Sequence, residues 1–195
     1  MQAKLSTVSR LAANLPAASI RASQADAVGN WSGLDADFCK ALAAVILNDA
    51  SKVKWVPLNS QQRLPARQSG EIDVLSRNTT FTLTRDASLG LHITAPLYYD
   101  GQGFMVLTKS SINDVRQLKG QTICVLSGST TEKNLADFSR ANNLGFKPVV
   151  FESLDALIGA YFGGRCVGYT QTPRAWPPFA TRKPRSRKIT SSRPH

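Results

Sequence analysis

Leu75-Ser76-Arg77-Asn78-Thr79-Thr80-Phe81-Thr82-Leu83-Thr84-Arg85 is a row of hydroxyls, an amide and two arginines set behind an apolar run. The preceding Ser69-Gly70-Glu71-Ile72-Asp73-Val74 reads as a turn feeding a short buried strand through Leu75. So many hydroxyls fit poorly in a core, where each would need a buried partner. They fit the mouth of an open α/β sheet, because ligands bind outside the carboxyl ends of its strands. An arginine there can hold a carboxylate through two parallel charge-assisted hydrogen bonds. The plainer reading is a solvated loop with one surface arginine, and the stretch alone leaves both open.

Outward from this stretch the pattern is α/β. Leu34, Phe38, Leu42, Val45 and Ile46 recur at helical spacing and predict a helix over about 35–47, with Asp35 and Asp37 at its positive end. Val53-Lys54-Trp55-Val56-Pro57-Leu58 reads as a strand, and Asn59-Ser60 opens a helix to about Gln68, where Pro65 is tolerated near the first turn. Beyond Gly101-Gln102-Gly103, residues 104–107 are extended, Thr122–Leu126 is a strand, and Ser127-Gly128-Ser129 opens a helix from Thr130 to about Asn142. Backbone N–H groups at such a helix start are unpaired and point at any anion placed there. Ser129 and Thr130 add hydroxyls, although either one can simply cap the helix. Lys147–Phe151 is a further strand, Leu154–Phe162 a helix and Arg165–Thr170 the beginning of another strand.

Four motifs join this frame in order: Asn30-Trp31-Ser32-Gly33-Leu34-Asp35-Ala36-Asp37-Phe38, Ala95-Pro96-Leu97-Tyr98-Tyr99, Leu126-Ser127-Gly128-Ser129-Thr130-Thr131-Glu132 and Gly164-Arg165-Cys166. With them the chain resembles the extracytoplasmic solute-binding proteins of polar amino-acid ABC transporters, in particular the general L-amino-acid-binding branch, from about Gly29 to Thr170. The resemblance implies an α/β, two-lobe, periplasmic-binding-protein type II fold. It divides the chain into an unrecognisable segment 1–30, a partial first lobe 31–103, a partial second lobe 104–170 and a basic tail 171–195. It also implies binding of an L-amino acid between the lobes, Arg85 gripping the α-carboxylate with Ser129 and Thr130. Asn78 and Thr80 would line the first-lobe wall, and Thr131 the second. The implied partners are the amino acid and the ABC permease membrane subunits, with a monomeric protein in the periplasm.

The chain departs from that pattern at both ends, so the fold is expected to be incomplete there and binding impaired. The family's opening strand is not recognisable in residues 1–28, and no compact apolar run of secretory type appears there. Gly164-Arg165-Cys166 is followed by Val167-Gly168-Tyr169-Thr170-Gln171-Thr172 with no acid, whereas the family has an Asp and then Thr-Asp-Ala-Ser-Gly-Leu. One permitted back-translation of Thr170–Trp176, read with two bases dropped, encodes that missing hexapeptide. Residues after about Cys166 are therefore read as translated out of frame, and the tail as disordered.

Charge and chemistry bound the alternatives. The net charge of +11 over 195 residues would suit nucleic acid, but seven Lys/Arg and no acid lie after Thr172. Residues 1–172 carry only +4, with 17 basic against 13 acidic residues. A basic nucleic-acid-binding protein and a non-functional, pseudogene-like fragment are the competing readings, with nucleic acid not expected. The two histidines, His92 and His195, join no catalytic or metal-ligand spacing. The chain is read as a non-enzyme with no cofactor and no metal. Of three cysteines, Cys124 and Cys166 lie in strands that can be neighbours within one lobe, and the family works where disulfides persist. They are the candidate pair, with Cys39 the orphan. The competing view is three small buried thiols.

Overall fold

The structure, a computed structural model, describes residues 10–12, 24–25, 29–94, 96–172 and 186–189. The chain divides into two compact units, 1–99 and 100–195. The division falls four residues before the boundary expected at 103/104.

Unit 1 contains β1 (Arg10–Ala12), β2 (Gln24–Ala25), β3 (Trp31–Ser32), α1 (Leu34–Leu47), β4 (Lys54–Val56) and α2 (Arg63–Gln68). β1 runs parallel to β4, and β2 antiparallel to β3. The segment ahead of residue 30 thus supplies a strand beside β4, where the sequence suggested no opening strand. Pairing needs only extended backbone with free N–H and C=O groups, which a motif comparison does not detect. The other residues of 1–28 lie outside the described residues.

α1 turns Ala36, Cys39 and Ala43 inward, and these bury with Ala66 of α2 and Ile72. Trp31 stacks on Trp55 with ring centroids 5.6 Å apart. Ile72–Leu75, expected as a strand, is not one. The Ile72 N–H donates to the Ala66 carbonyl at 3.2 Å, a helix-end bond in place of a strand ladder. Ile72 is nevertheless fully buried, so its apolar character was read correctly but its backbone was not. Arg85 lies on a wide helical turn, Thr84–Ser88.

Unit 2 is an α/β sandwich around one sheet. Its strands are β5 (Gly103–Leu107), β6 (Thr122–Leu126), β7 (Lys147–Phe151), β8 (Gly168–Gln171) and β9 (Ser186–Ile189), in the order β7-β6-β8-β5-β9. β6 is parallel to β7 and β8, while β5 is antiparallel to β8 and β9. Side chains alternate across the sheet, as the two-residue strand period requires. Phe104, Val106, Ile123 and Val125 bury on one face with Leu135 of α3 (Thr130–Ala141). Met105, Cys124 and Tyr169 bury on the other with Leu157 and Tyr161 of α4 (Leu154–Phe162). Cys124 and Cys166 are joined in a disulfide with Cα atoms 5.7 Å apart, bridging β6 to the residues just before its neighbour β8. Cys39 is a free, buried thiol.

The tail expected to be irregular from residue 171 contains ordered backbone. Gln171 closes β8, and Ser186–Ile189 pairs along Phe104–Leu107 of β5. β5 would otherwise present a row of unpaired backbone groups, and an added strand satisfies them whatever its side chains. Residues 173–185 and 190–195 lie outside the described residues. No helix among the described residues is long and apolar enough to cross a membrane.

Candidate functional site

In unit 1 the candidate residues lie on the irregular path from Ser76 to Ser88. Arg85 is 8% exposed, and its Nη1 donates to the Thr80 carbonyl at 2.9 Å. Its backbone N–H meets the Thr82 hydroxyl at 3.2 Å, which fixes the start of the helical turn. Burial lowers its pKa from the ordinary guanidinium value, yet a guanidinium remains charged at neutral pH. Asn78 is half-buried, and its Oδ1 has no hydrogen-bond partner; nor has Thr79 Oγ1. Thr80 is exposed and offers its carbonyl to Arg85.

Beneath this path lies Arg63, which the sequence reading passed over. It is 6% exposed; Nη1 donates to the Asn78 carbonyl at 3.3 Å and Nη2 to Ser60 Oγ at 3.2 Å, while Nε is buried without a partner. Burial, then the positive charges of Arg77 and Arg85, push its pKa down to about 9, with Asp35 acting the other way. Its signal in the sequence was an arginine on the inward side of α2, spaced one helical turn before the buried Ala66. The Arg140–Asp137 ion pair is exposed and remote in sequence from this cluster. Unit 1 therefore places two buried guanidinium groups, Arg63 and Arg85, on this path, with the charge of Asp35 acting favourably on Arg63.

In unit 2 the candidates sit at the start of α3. Gly128 adopts φ +67°, a backbone conformation that favours glycine, and turns the chain out of β6. Ser129 then caps the helix, its Oγ accepting from the Glu132 N–H at 3.2 Å. That same Oγ donates to the Leu126 carbonyl at 2.6 Å, so in its 2.7 Å contact with Thr131 Oγ1 the donor is Thr131. The hydroxyl proton of Ser129, expected as a ligand donor, is thus already engaged. The helix-start backbone N–H groups remain the donors suited to an anion. Glu132 Oε2 accepts from the Gly128 N–H at 2.8 Å, which places a carboxylate beside them. Thr131 is 1% exposed. No group of three or more His, Cys, Asp or Glu residues among the described residues could hold a metal ion.

These features can be set beside known proteins. The model of the bacterial extracellular solute-binding proteins, family 3, matches residues 17–188. The chain belongs to that family. The general L-amino acid-binding periplasmic protein AapJ of Rhizobium johnstonii is 54% identical over 145 residues, which are 74% of this chain and 42% of AapJ. The glutamate/glutamine/aspartate/asparagine-binding protein BztA of Rhodobacter capsulatus is 47% identical over 145 residues, 74% of this chain and 43% of BztA. Among solved structures, an ABC transporter/periplasmic binding protein from Brucella ovis with glutathione bound matches with a TM-score of 0.84 and 42% identity. That match covers 94% of this chain and 58% of the Brucella chain. The fold is accordingly the α/β periplasmic-binding-protein type II fold. The chain spans less than half the length of AapJ and BztA.

Proposed function

We propose that this chain is an extracytoplasmic solute-binding protein for L-amino acids that feeds an ABC transporter, acting as a monomer and delivering its ligand to permease membrane subunits. Arg85 supports this reading most directly. A guanidinium that is 8% exposed, bonded to one backbone carbonyl and in contact with no carboxylate among the described residues, is electrostatically suited to an incoming carboxylate. Asn78, with an unmatched side-chain oxygen, and Thr80 then serve as wall residues of the same unit. In unit 2 the backbone N–H groups at Ser129, Thr130 and Thr131 supply further donors, with the Ser129 hydroxyl holding the loop in place of touching ligand. The role is binding without catalysis, and the family likeness supports a site of action outside the cytoplasm. The relatives named above are described as periplasmic or amino-acid-binding, in keeping with this reading.

Affinity is expected to be modest. The family's amine-holding Asp has no counterpart between Val167 and Thr172, and losing a charged hydrogen bond weakens binding about tenfold to hundredfold. The test is calorimetric titration of the full chain with each of the common L-amino acids. Saturable heat with at least one of them, lost in Arg85→Ala, is the expected outcome. A folded chain that binds none of them overturns the reading.

A further inference from the structure

Gln102 stands at the very start of unit 2, immediately before β5. Its side chain is the meeting point of three elements. Nε2 donates to the Thr131 carbonyl at 3.0 Å and to Thr170 Oγ1 at 2.8 Å, and Oε1 accepts from Asn134 Nδ2 at 3.1 Å. Thr170, fully buried on β8, passes its own hydroxyl proton to the Gly103 carbonyl at 3.0 Å. The orientation of the amide follows from chemistry: the Thr131 carbonyl can only accept, so the NH₂ end of Gln102 must face it. Both protons of that NH₂ are then engaged, and its oxygen takes the amide of Asn134.

The first turn of a helix is its least secured part, because its N–H groups have no acceptors within the helix. Here that turn follows a glycine at positive φ. Ser129 secures it from the loop side, and Gln102 secures it from the sheet side by a bond to the carbonyl of Thr131. We propose that Gln102 is a positioning residue for the amino-acid half-site at the start of α3. It holds Thr131, and through the 2.7 Å contact with Ser129 Oγ the whole Ser129–Thr131 turn, in the arrangement that receives a carboxylate. The inference rests on the amino-acid-binding reading above. It adds that the segment by which the chain enters unit 2 is wired directly to the ligand groups, so that a change in one is felt by the other.

Gln102→Leu, Gln102→Glu and Thr170→Val variants of the full chain test it, with two readouts: amide hydrogen exchange in the ligand-free protein, and the affinity for L-glutamine as probe. Gln102→Leu removes three neutral hydrogen bonds, of which the one to the Thr131 carbonyl and its support through Thr170 bear on the turn, and a loss of that kind is worth about tenfold. Gln102→Leu is expected to speed exchange of the Glu132 amide, the N–H of the Ser129–Glu132 turn that the Ser129 hydroxyl protects, about tenfold while Leu135–Ala141 keep their protection, and to weaken L-glutamine binding about tenfold. Gln102→Glu should behave alike at pH 7, because a carboxylate has no proton to give Thr131 or Thr170 and adds negative charge beside an anionic ligand. Below the ordinary glutamate pKa of about 4.3, the acid regains one donor, and the ratio of variant to wild-type affinity should recover. Thr170→Val leaves the bond to Thr131 and should leave the exchange of the Glu132 amide near wild type.

Unchanged exchange of the Glu132 amide in Gln102→Leu overturns the proposal. So does a uniform loss of protection across unit 2, or a Gln102→Glu defect that is the same at pH 4 and pH 7, since either marks a general packing role. If the wild-type chain binds no amino acid, the functional reading fails on its own, and the exchange readout alone decides whether Gln102 positions the turn.

Discussion

The two candidate half-sites are built by opposite means. At the start of α3 the polar atoms close on one another: Ser129 on Leu126 and Glu132, Thr131 on Ser129, Gln102 on Thr131 and Thr170. This turn hangs on a five-stranded sheet buried on both faces. Around Arg85 the backbone follows no ladder, and the buried Arg63 feels the positive charges of Arg77 and Arg85. Asn78 Oδ1, Thr79 Oγ1 and Arg63 Nε are buried without hydrogen-bond partners. Unit 1 also leaves Phe81, Leu83 and Tyr99 more than half exposed. One half-site is held by hydrogen bonds that close on one another; the other leaves buried polar atoms without hydrogen-bond partners.

The largest effect expected from this contrast concerns the disulfide. Cys124 and Cys166 close a loop of 42 residues, for which loop-closure entropy amounts to about 4 kcal/mol. Replacing both by Ala should reduce the stability of unit 2 by roughly that much and leave unit 1 nearly unchanged. Denaturant titration followed by hydrogen exchange, resolved unit by unit, measures it. An equal loss in both units would mean that they unfold as one body, and the contrast would lose its basis.

Ligand binding should divide the half-sites next. Arg85→Lys keeps the charge but loses the planar fork, and is expected to weaken amino-acid binding by about 2 kcal/mol, near thirtyfold. Ser129→Ala should weaken it by less than about tenfold, because that hydroxyl proton serves Leu126 and its loss acts only through the turn. Calorimetry on the two variants gives the ratio. A larger effect at Ser129 would reverse the assignment of carboxylate grip and scaffold.

The pH dependence of unit 1 sharpens the picture further. Arg63, its pKa pushed down to about 9 from the ordinary guanidinium value, holds fewer protons folded than unfolded above pH 9. Its penalty is therefore full below pH 9 and is relieved as pH rises. Cys39 has the opposite sign. Burial pushes its thiol from 9.0 up to about 12, so its contribution is full below pH 9 and is lost as pH climbs toward 12. Each acts with a slope of at most about 1.4 kcal/mol per pH unit. In the wild-type chain the two nearly cancel over pH 9–12. Cys39→Ala should unmask a rise in unit 1 stability between pH 9 and 11, and Arg63→Met a fall. Urea unfolding followed by the fluorescence of the Trp31–Trp55 stack reads both. Two variants with the same slope would show that Arg63 is not the destabilised cation of this unit.

Periodicity carried much of this architecture. The helix at Leu34–Leu47 was legible from its apolar spacing, although Leu34, Val45 and Ile46 are exposed and Ala36, Cys39 and Ala43 form the buried face; the helix at Thr130–Ala141 follows a Ser cap, and β5 and β6 alternate between two buried faces. Ile72–Leu75 was misread because burial and strand pairing look alike in a short apolar run, and only a partner strand distinguishes them. β9 was illegible for the converse reason: an edge strand is held by backbone groups, which a basic composition does not reveal. At the candidate site, Arg85 stood out through its polar setting. Arg63 and Gln102 did not, since each matters through contacts to residues 15 and 29 positions away.

The smallest expected effect lies in the helix caps. α4 begins at Ser153, whose Oγ accepts from the Ala156 N–H at 3.2 Å and has no part in either half-site. Ser153→Ala removes that acceptor and nothing else, and should lower the stability of unit 2 by about 1 kcal/mol without altering ligand affinity. α1 begins at Gly33 with no side-chain cap, and only Asp35 and Asp37 meet its positive end. A serine there would offer a cap, yet Gly33 sits at φ +110°, where a side chain is strained. Gly33→Ser should therefore fail to stabilise unit 1 and is expected to destabilise it by about 1 kcal/mol, strain outweighing the new hydrogen bond. Thermal unfolding of the two variants compares a helix start secured by its cap with one secured by its backbone. A stabilised Gly33→Ser would mean that the chain enters α1 by a different, unstrained path.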